Sequence, residues 1–276
     1  MNNGFRLALF ASVALVGGLV LLLRGGDVGR SSESLTIYYA SGVRRPVEEI
    51  IAAYGREYSV EIQTQSAGSG ELVGSIKASG RGDLFLAADV SYLQRLQAAA
   101  DNERQFVDQI LPVAYQRPVV AVRRGNPMQI GGLDDLMQRD VKVSLADPDV
   151  AAIGHVVRER LDADDWNAVW EHKAVARANV NMVANDVVVG AAHAGIVWDA
   201  TASQYSQLET IELTEFADDE NRIAIGVLTT SENPDLALHF ARFLAAGNRG
   251  LARFREHGYR TVDGEPWPAT PGGTTP

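Results

Sequence analysis

Gly68-Ser69-Gly70 stands between a β-rich run, VEIQTQ, and an apolar-periodic run, ELVGSIKAS. A serine between glycines at the start of a helix can cradle a dinucleotide, present a nucleophile or hold a bare anion. The dinucleotide fingerprint asks for G-x-G-x-x-G after the first strand of a βαβ unit. Here the turn follows the second strand and Gly74 comes one residue late, although Asp89 stands about 20 residues on, where a ribose-binding acid would. A nucleophile elbow asks for glycine two residues to either side of the serine, and Ala67 and Glu71 occupy those places. An anion nest asks for less: a hydroxyl, unpaired backbone N–H groups and the positive end of a helix dipole. The plainer alternative is that Ser69 caps a helix after a tight glycine turn.

The same device recurs along the chain. LTIYYA ends in Ser41-Gly42 and runs into VRRPVEEIIAAYGREY, whose Pro46 sits in the first helical turn, where its missing N–H costs nothing. In LADPDVAAIGHVV a strand gives way to a helix near Ile153-Gly154, and NVNMVANDVV opens another at Val180. Ligands of open α/β sheets gather at the carboxyl edge of the strands. Four helix starts from two lobes are therefore expected to converge on one anion.

Charge and composition narrow the classes. A formal net charge of −10 argues against a general attraction to nucleic acid or anionic lipid, so an anion must be captured by local geometry. With no cysteine, disulfides, thiolate metal sites and a cysteine nucleophile are excluded. His155 stands near the expected site, but it and His172, His193, His239 and His257 lack metal-ligand spacing. Tyr38 and Tyr39 could suggest a ferric-ion binder, although only one of an adjacent strand pair can face a cleft. Arg81-Gly82-Asp83 reads as a turn, with Asp83 near an interlobe hinge, and Asp147 and Asp149 around Pro148 read as a turn and helix start.

The elements that must position these residues alternate in the manner of a parallel α/β sheet. Two halves of similar βαβ grammar join near Pro118 and again near Gly226. The expected fold is α/β and two-lobed, each lobe a mainly parallel sheet flanked by helices with a ligand cleft between. Residues 1–34 form an N-terminal signal or anchor helix and tether, since about 17 apolar or small residues between Arg6 and Arg24 end without a small-x-small cleavage site. Residues 35–117 plus 227–262 form one lobe, 118–226 the other, and 263–276, rich in Pro, Gly and Thr, a disordered tail.

In SAGSGELVGSIKASGRGDLFLAAD, ADPDVAAIGHVVRERL, AGIVW and FREHGY, the chain resembles the periplasmic molybdate-binding proteins of ABC importers, of the type 2 periplasmic-binding-protein class. The similarity runs from about Leu35 to Tyr259. It implies a monomeric, extracytoplasmic protein without a cofactor or metal, partnered with an ABC permease and tethered to the inner membrane by its N-terminal helix. The implied ligand is molybdate or tungstate, held by neutral donors: the Ser41 and Ser69 hydroxyls and the backbone N–H groups of Ile153 and Val180. A family aromatic hydroxyl falls on Trp198, which has none but can donate its indole N–H. Ser41-Gly42 also departs from the bulkier residue usual after the first serine. The alternatives are another oxyanion such as sulfate or phosphate, ferric ion, a sensor domain, or an enzyme using Ser69 and His155.

Overall fold

The computed structural model describes residues 34–98, 104–172, 175–217 and 220–268. The apolar N-terminal run, with its expected anchor role, lies outside them. Among the described residues no helix is long and apolar enough to cross a membrane.

The chain builds β1 (Ser34–Ala40), α1 (Arg44–Tyr58), β2 (Glu61–Ala67), α2 (Ser69–Ser79), β3 (Leu84–Ala87), α3 (Val90–Gln97) and β4 (Val107–Gln116). It then passes to a second sheet through β5 (Pro118–Arg123), β6 (Val143–Ala146), α4 (Ala152–Arg160), α5 (Ala163–His172), β7 (Val175–Arg177), α6 (Val180–Val189), β8 (Ala194–Trp198), α7 (Asp199–Ser203) and β9 (Leu208–Ile211). It returns through β10 (Asn221–Leu228), α8 (Pro234–Leu244), α9 (Gly250–Glu256) and β11 (Arg260–Thr261). The sheets have the orders β11-β4-β10-β3-β1-β2 and β7-β6-β8-β5-β9.

Periodicity explains the layers. In α1 the buried residues Val47, Ile50 and Tyr54 follow the helical repeat and face the first sheet's core. β3, LFLA, is buried on both faces, as parallel strands between helices are. β2 is the edge strand, and its exposed Gln63, Thr64 and Gln65 make that edge polar.

Both sheets are mixed rather than mainly parallel. β1 pairs in parallel with β2 and β3, and β6 with β7 and β8, but β10 runs antiparallel to β3 and β4, and β5 antiparallel to β8 and β9. The reason lies in the connections. β10 and β5 each enter a lobe from the cleft, whereas β3 and β8 run toward it.

The first crossover is Arg117, between β4 and β5. The second precedes Asn221, which pairs with Gln116, so residues 221–226 belong to the first sheet instead of the second lobe. Asp83 is far from this hinge. Its carboxylate accepts from the Thr36 N–H (2.7 Å) and the Ser231 hydroxyl (2.5 Å), at the opposite edge of the sheet, where it ties the start of β1 to the exit of β10.

The end of the described chain is also better held than its composition suggests. The Trp267 indole donates to the Tyr58 hydroxyl (3.0 Å) and its ring packs edge-on to His239 and Phe243. Its N–H donates to Asn248 Oδ1 (2.6 Å). Residues 263–268 are thus docked by one aromatic anchor, and residues 269–276 lie outside the described set.

Candidate functional site

Ala40 pairs with Ala67, so β1 and β2 end at one level and deliver Ser41 and Ser69 side by side. From the other sheet, the starts of α4 and α6 and the end of β8 meet them. Ser41, Ser69, Ile153, Val180 and Trp198, all five residues expected from the sequence, line one small cavity of about 20 Å3 between the lobes. That is room for a compact ion or a water or two, and too little for a sugar. Its walls are otherwise small, Ala40, Ala88 and Ala151 among them, and no ionisable side chain of the described residues lines it.

The donors at these helix starts can be accounted for singly. Ser69 is 1% exposed, and its Oγ accepts from the Ala88 N–H (3.3 Å), which leaves the hydroxyl hydrogen free to donate into the cavity. On α6, Asn179 caps the helix by accepting from the Met182 N–H (3.1 Å), and the Val180 N–H beside it has no backbone acceptor among the described residues. α4 has no side-chain cap, and the Ile153 N–H in its first turn has no backbone acceptor among the described residues. The Trp198 side chain is 1% exposed and lines the cavity, where its indole N–H has no hydrogen bond among the described residues.

The glycines serve a different contact from the expected one. The N–H groups of Gly70 (3.0 Å) and Glu71 (3.3 Å) donate to the Val150 carbonyl of the opposite lobe. A Cβ on Gly68 would stand 2.3 Å from that oxygen and 2.8 Å from the Ala178 carbonyl. These glycines let the two backbones approach each other. Asn181 adds a second clasp, its side-chain amide donating to the Ser41 carbonyl (2.7 Å).

Sequence reasoning missed Asn179 and Asn181, although an asparagine before an apolar helix is a capping signal. It also missed Thr201, whose buried hydroxyl has no hydrogen-bond partner and lies 3.5 Å from the place of a Cβ on Gly42. Nothing in its local pattern marks it. The Tyr259 hydroxyl donates to the Gly42 carbonyl (2.7 Å) and accepts from the Gln204 side chain (3.2 Å), joining FREHGY to both lobes.

Charge is kept behind the cavity. Asp186, on the same helix as Val180, accepts two hydrogen bonds from Arg177 (2.7 and 2.8 Å) and one from Ser144 (2.7 Å). Burial raises its pKa, but these donors outweigh burial and hold the carboxyl below its ordinary range. Tyr38 and Tyr39 do not reach the cavity; their hydroxyls meet Ser79 and Glu48. His155 is likewise outside it, beside Arg158, Arg95 and Glu159, so Ser69 and His155 do not form a nucleophile and base pair. Among the described residues no three His, Cys, Asp or Glu side chains gather to hold a metal ion.

Residues 35–260 match the family model for bacterial extracellular solute-binding proteins. The chain belongs to this family. A Haemophilus influenzae relative, described no further than as a binding protein, is 24% identical over 226 residues, 82% of this chain and 90% of that one. The substrate-binding domain of a Clostridium difficile transporter assigned to molybdenum is similar at 22% identity, with a TM-score of 0.59 over 84% of this chain and 100% of that one. The sulfate-binding protein SubI of Mycobacterium tuberculosis is similar at 17% identity, with a TM-score of 0.71 over 84% of this chain and 88% of its own. The fold is therefore that of two-lobed periplasmic binding proteins, and the solute-binding protein holds its cavity between the lobes.

Proposed function

We propose that this solute-binding protein captures molybdate or tungstate outside the cytoplasm and delivers it, as a monomer, to an ABC permease. The observation that carries the reading is the convergence of the starts of α2, α4 and α6, and of the 3-10 turn Ser41–Val43 ahead of α1, on a small cavity without a charged side chain. Ser41 and Ser69 donate hydroxyls, Ile153 and Val180 backbone N–H groups, and Trp198 its indole N–H. Helix ends and neutral donors stabilise a dianion without a salt bridge.

The same donors select against protonated anions. With only donors presented, hydrogen phosphate would bury an unpaired O–H, at about 1–3 kcal/mol. Sulfate, like molybdate fully ionised, is the second reading, favoured by the likeness to a sulfate-binding structure; cavity size is what separates the two. The N-terminal apolar run would hold the protein at the inner membrane, and the lobes would close like a hinge over the anion. A thermal-shift series with molybdate, tungstate, sulfate, phosphate and ferric ion tests this. The expected result is stabilisation by molybdate and tungstate above the others; no stabilisation by any oxyanion would reject the proposal.

A further inference from the structure

A second cavity, of about 340 Å3, opens at the rim of the cleft beyond Gly70. It is separated from the small cavity by the backbone contact of Gly70 and Glu71 with Val150. Its chemistry is the opposite of the inner one. Lys77 of α2 and Arg95 of α3 reach it from the first lobe, and Arg158 and His155 of α4 from the second, with Asp149 as the carboxylate on its wall. Three cations against one carboxylate stand out in a chain of net charge −10.

These cations are short of acceptors. Lys77 has no ion pair among the described residues, and Arg95 stacks on the Tyr92 ring, 4.5 Å from its centroid, without a carboxylate partner. Burial lowers the pKa of His155, and a neutral imidazole has one acceptor nitrogen. With Nε2 donating to Glu159 (3.3 Å), Nδ1 can accept from Arg158 (3.4 Å). The contact of Arg95 with Nε2, at 3.5 Å, then meets a nitrogen that already carries hydrogen. Arg158 has a partner in Asp149 at 3.0 Å, but that carboxylate is 81% exposed and the pair is weak. Two guanidinium groups from opposite lobes thus face one open space large enough for a small organic anion.

We propose that this rim cavity is a second anion site, which takes a phosphomonoester by clamping its phosphate between Arg95 of the first lobe and Arg158 of the second. Guanidinium forks match phosphate oxygens two at a time, and Lys77 adds a third positive charge. Because the clamp spans the cleft, its ligand favours the closed arrangement and, by linkage, tightens whatever the inner cavity holds.

Calorimetric titration with glycerol 3-phosphate, which the 20 Å3 inner cavity cannot enclose, provides the test. One equivalent is expected to bind both the free and the molybdate-saturated protein. The double variant Arg95→Gln/Arg158→Gln should lose at least tenfold in that affinity while its melting and its molybdate affinity stay as in the parent. Asp149→Asn, which removes the opposing carboxylate and releases Arg158, should tighten it, a change of sign that misfolding cannot produce. No binding, binding unaffected by these variants, or competition with molybdate would each overturn the proposal. If molybdate itself fails to bind, the proposed function falls while the glycerol 3-phosphate result still decides the rim site.

Discussion

Helix α6 carries one arrangement that stabilises an anion, at Asp186, and in the proposed function a second, at Val180, built on a different principle. At its first residue, Val180 offers a backbone N–H to the cavity alongside other neutral donors. Two turns on, Asp186 is held by a charged fork from Arg177 and a hydroxyl from Ser144. The built-in carboxylate receives a counter-charge, and the cavity proposed for a transient anion is lined by no charged side chain of the described residues. A buried ion pair gains only when its geometry is fixed and every oxygen is satisfied, which a side chain on the same lobe can guarantee. A solute that must come and go is better met by groups that are not stranded as bare charges when it leaves, and neutral N–H and O–H groups satisfy that condition.

The contrast can be broken from either side. The largest effect is expected at the charged end: Asp186→Ala removes three hydrogen bonds to a carboxylate and should cost about 2–3 kcal/mol of stability in denaturant melts. The loss also has a pH signature. Since the folded carboxyl titrates below its unfolded value, its contribution is present above the unfolded pKa and fades as pH falls through the folded one. Acid unfolding of the parent should therefore lose a component that the Ala variant lacks.

At the neutral end, Gly68→Ala places a methyl against two carbonyls of the other lobe. The crowding, about 1–3 kcal/mol, falls on the arrangement in which the lobes meet at these carbonyls, which the proposed hinge closure would require. Oxyanion affinity should drop by up to about a hundredfold while the melting temperature of the free protein holds. Ser69→Ala should weaken oxyanion binding about tenfold, again with little change in melting of the free protein. Tyr259→Phe, which strips one hydrogen bond from the Gly42 carbonyl, should cost about 1 kcal/mol of stability. With no ionisable side chain in the cavity, affinity for a fully ionised oxyanion should be flat between about pH 6 and 8, a calorimetric series that completes the order of effects.

Much of the site was legible because its signals are local. A change from a β-rich to an apolar-periodic run announces a helix start whatever the rest of the chain does, and that change set Ser41, Ser69, Ile153 and Val180 at the junctions that line the small cavity. What the glycines do was not legible, because the atoms that crowd Gly68 belong to Val150 and Ala178, more than 80 residues away in the chain. The opposite-edge role of Asp83 was hidden for the same reason, since it depends on Ser231.

Strand β4 shows a different obstacle. Pro112 interrupts the run VDQILPVAYQ and argues against a central strand, yet β4 pairs with β10 on one side and β11 on the other. The ladder tolerates it through a bulge: Pro112 faces Ala224 and Ala114 faces Ile223, leaving Val113 as the extra residue. Without β4 the antiparallel half of the first sheet, and with it the position of the second crossover, could not be read from alternation alone. The docking of Trp267 was masked by composition, because one aromatic among prolines and glycines outweighs the disorder its neighbours suggest.

In the proposed function a neutral cage selects a fully ionised tetrahedral anion. Calorimetric titration at neutral pH of molybdate against phosphate, on the parent and on Ser69→Ala, tests it most directly. One molybdate per chain is expected, with phosphate weaker by at least tenfold and a clear loss of molybdate affinity in the variant. Equal affinity for the two anions, or an affinity unchanged by removing the Ser69 hydroxyl, would contradict it.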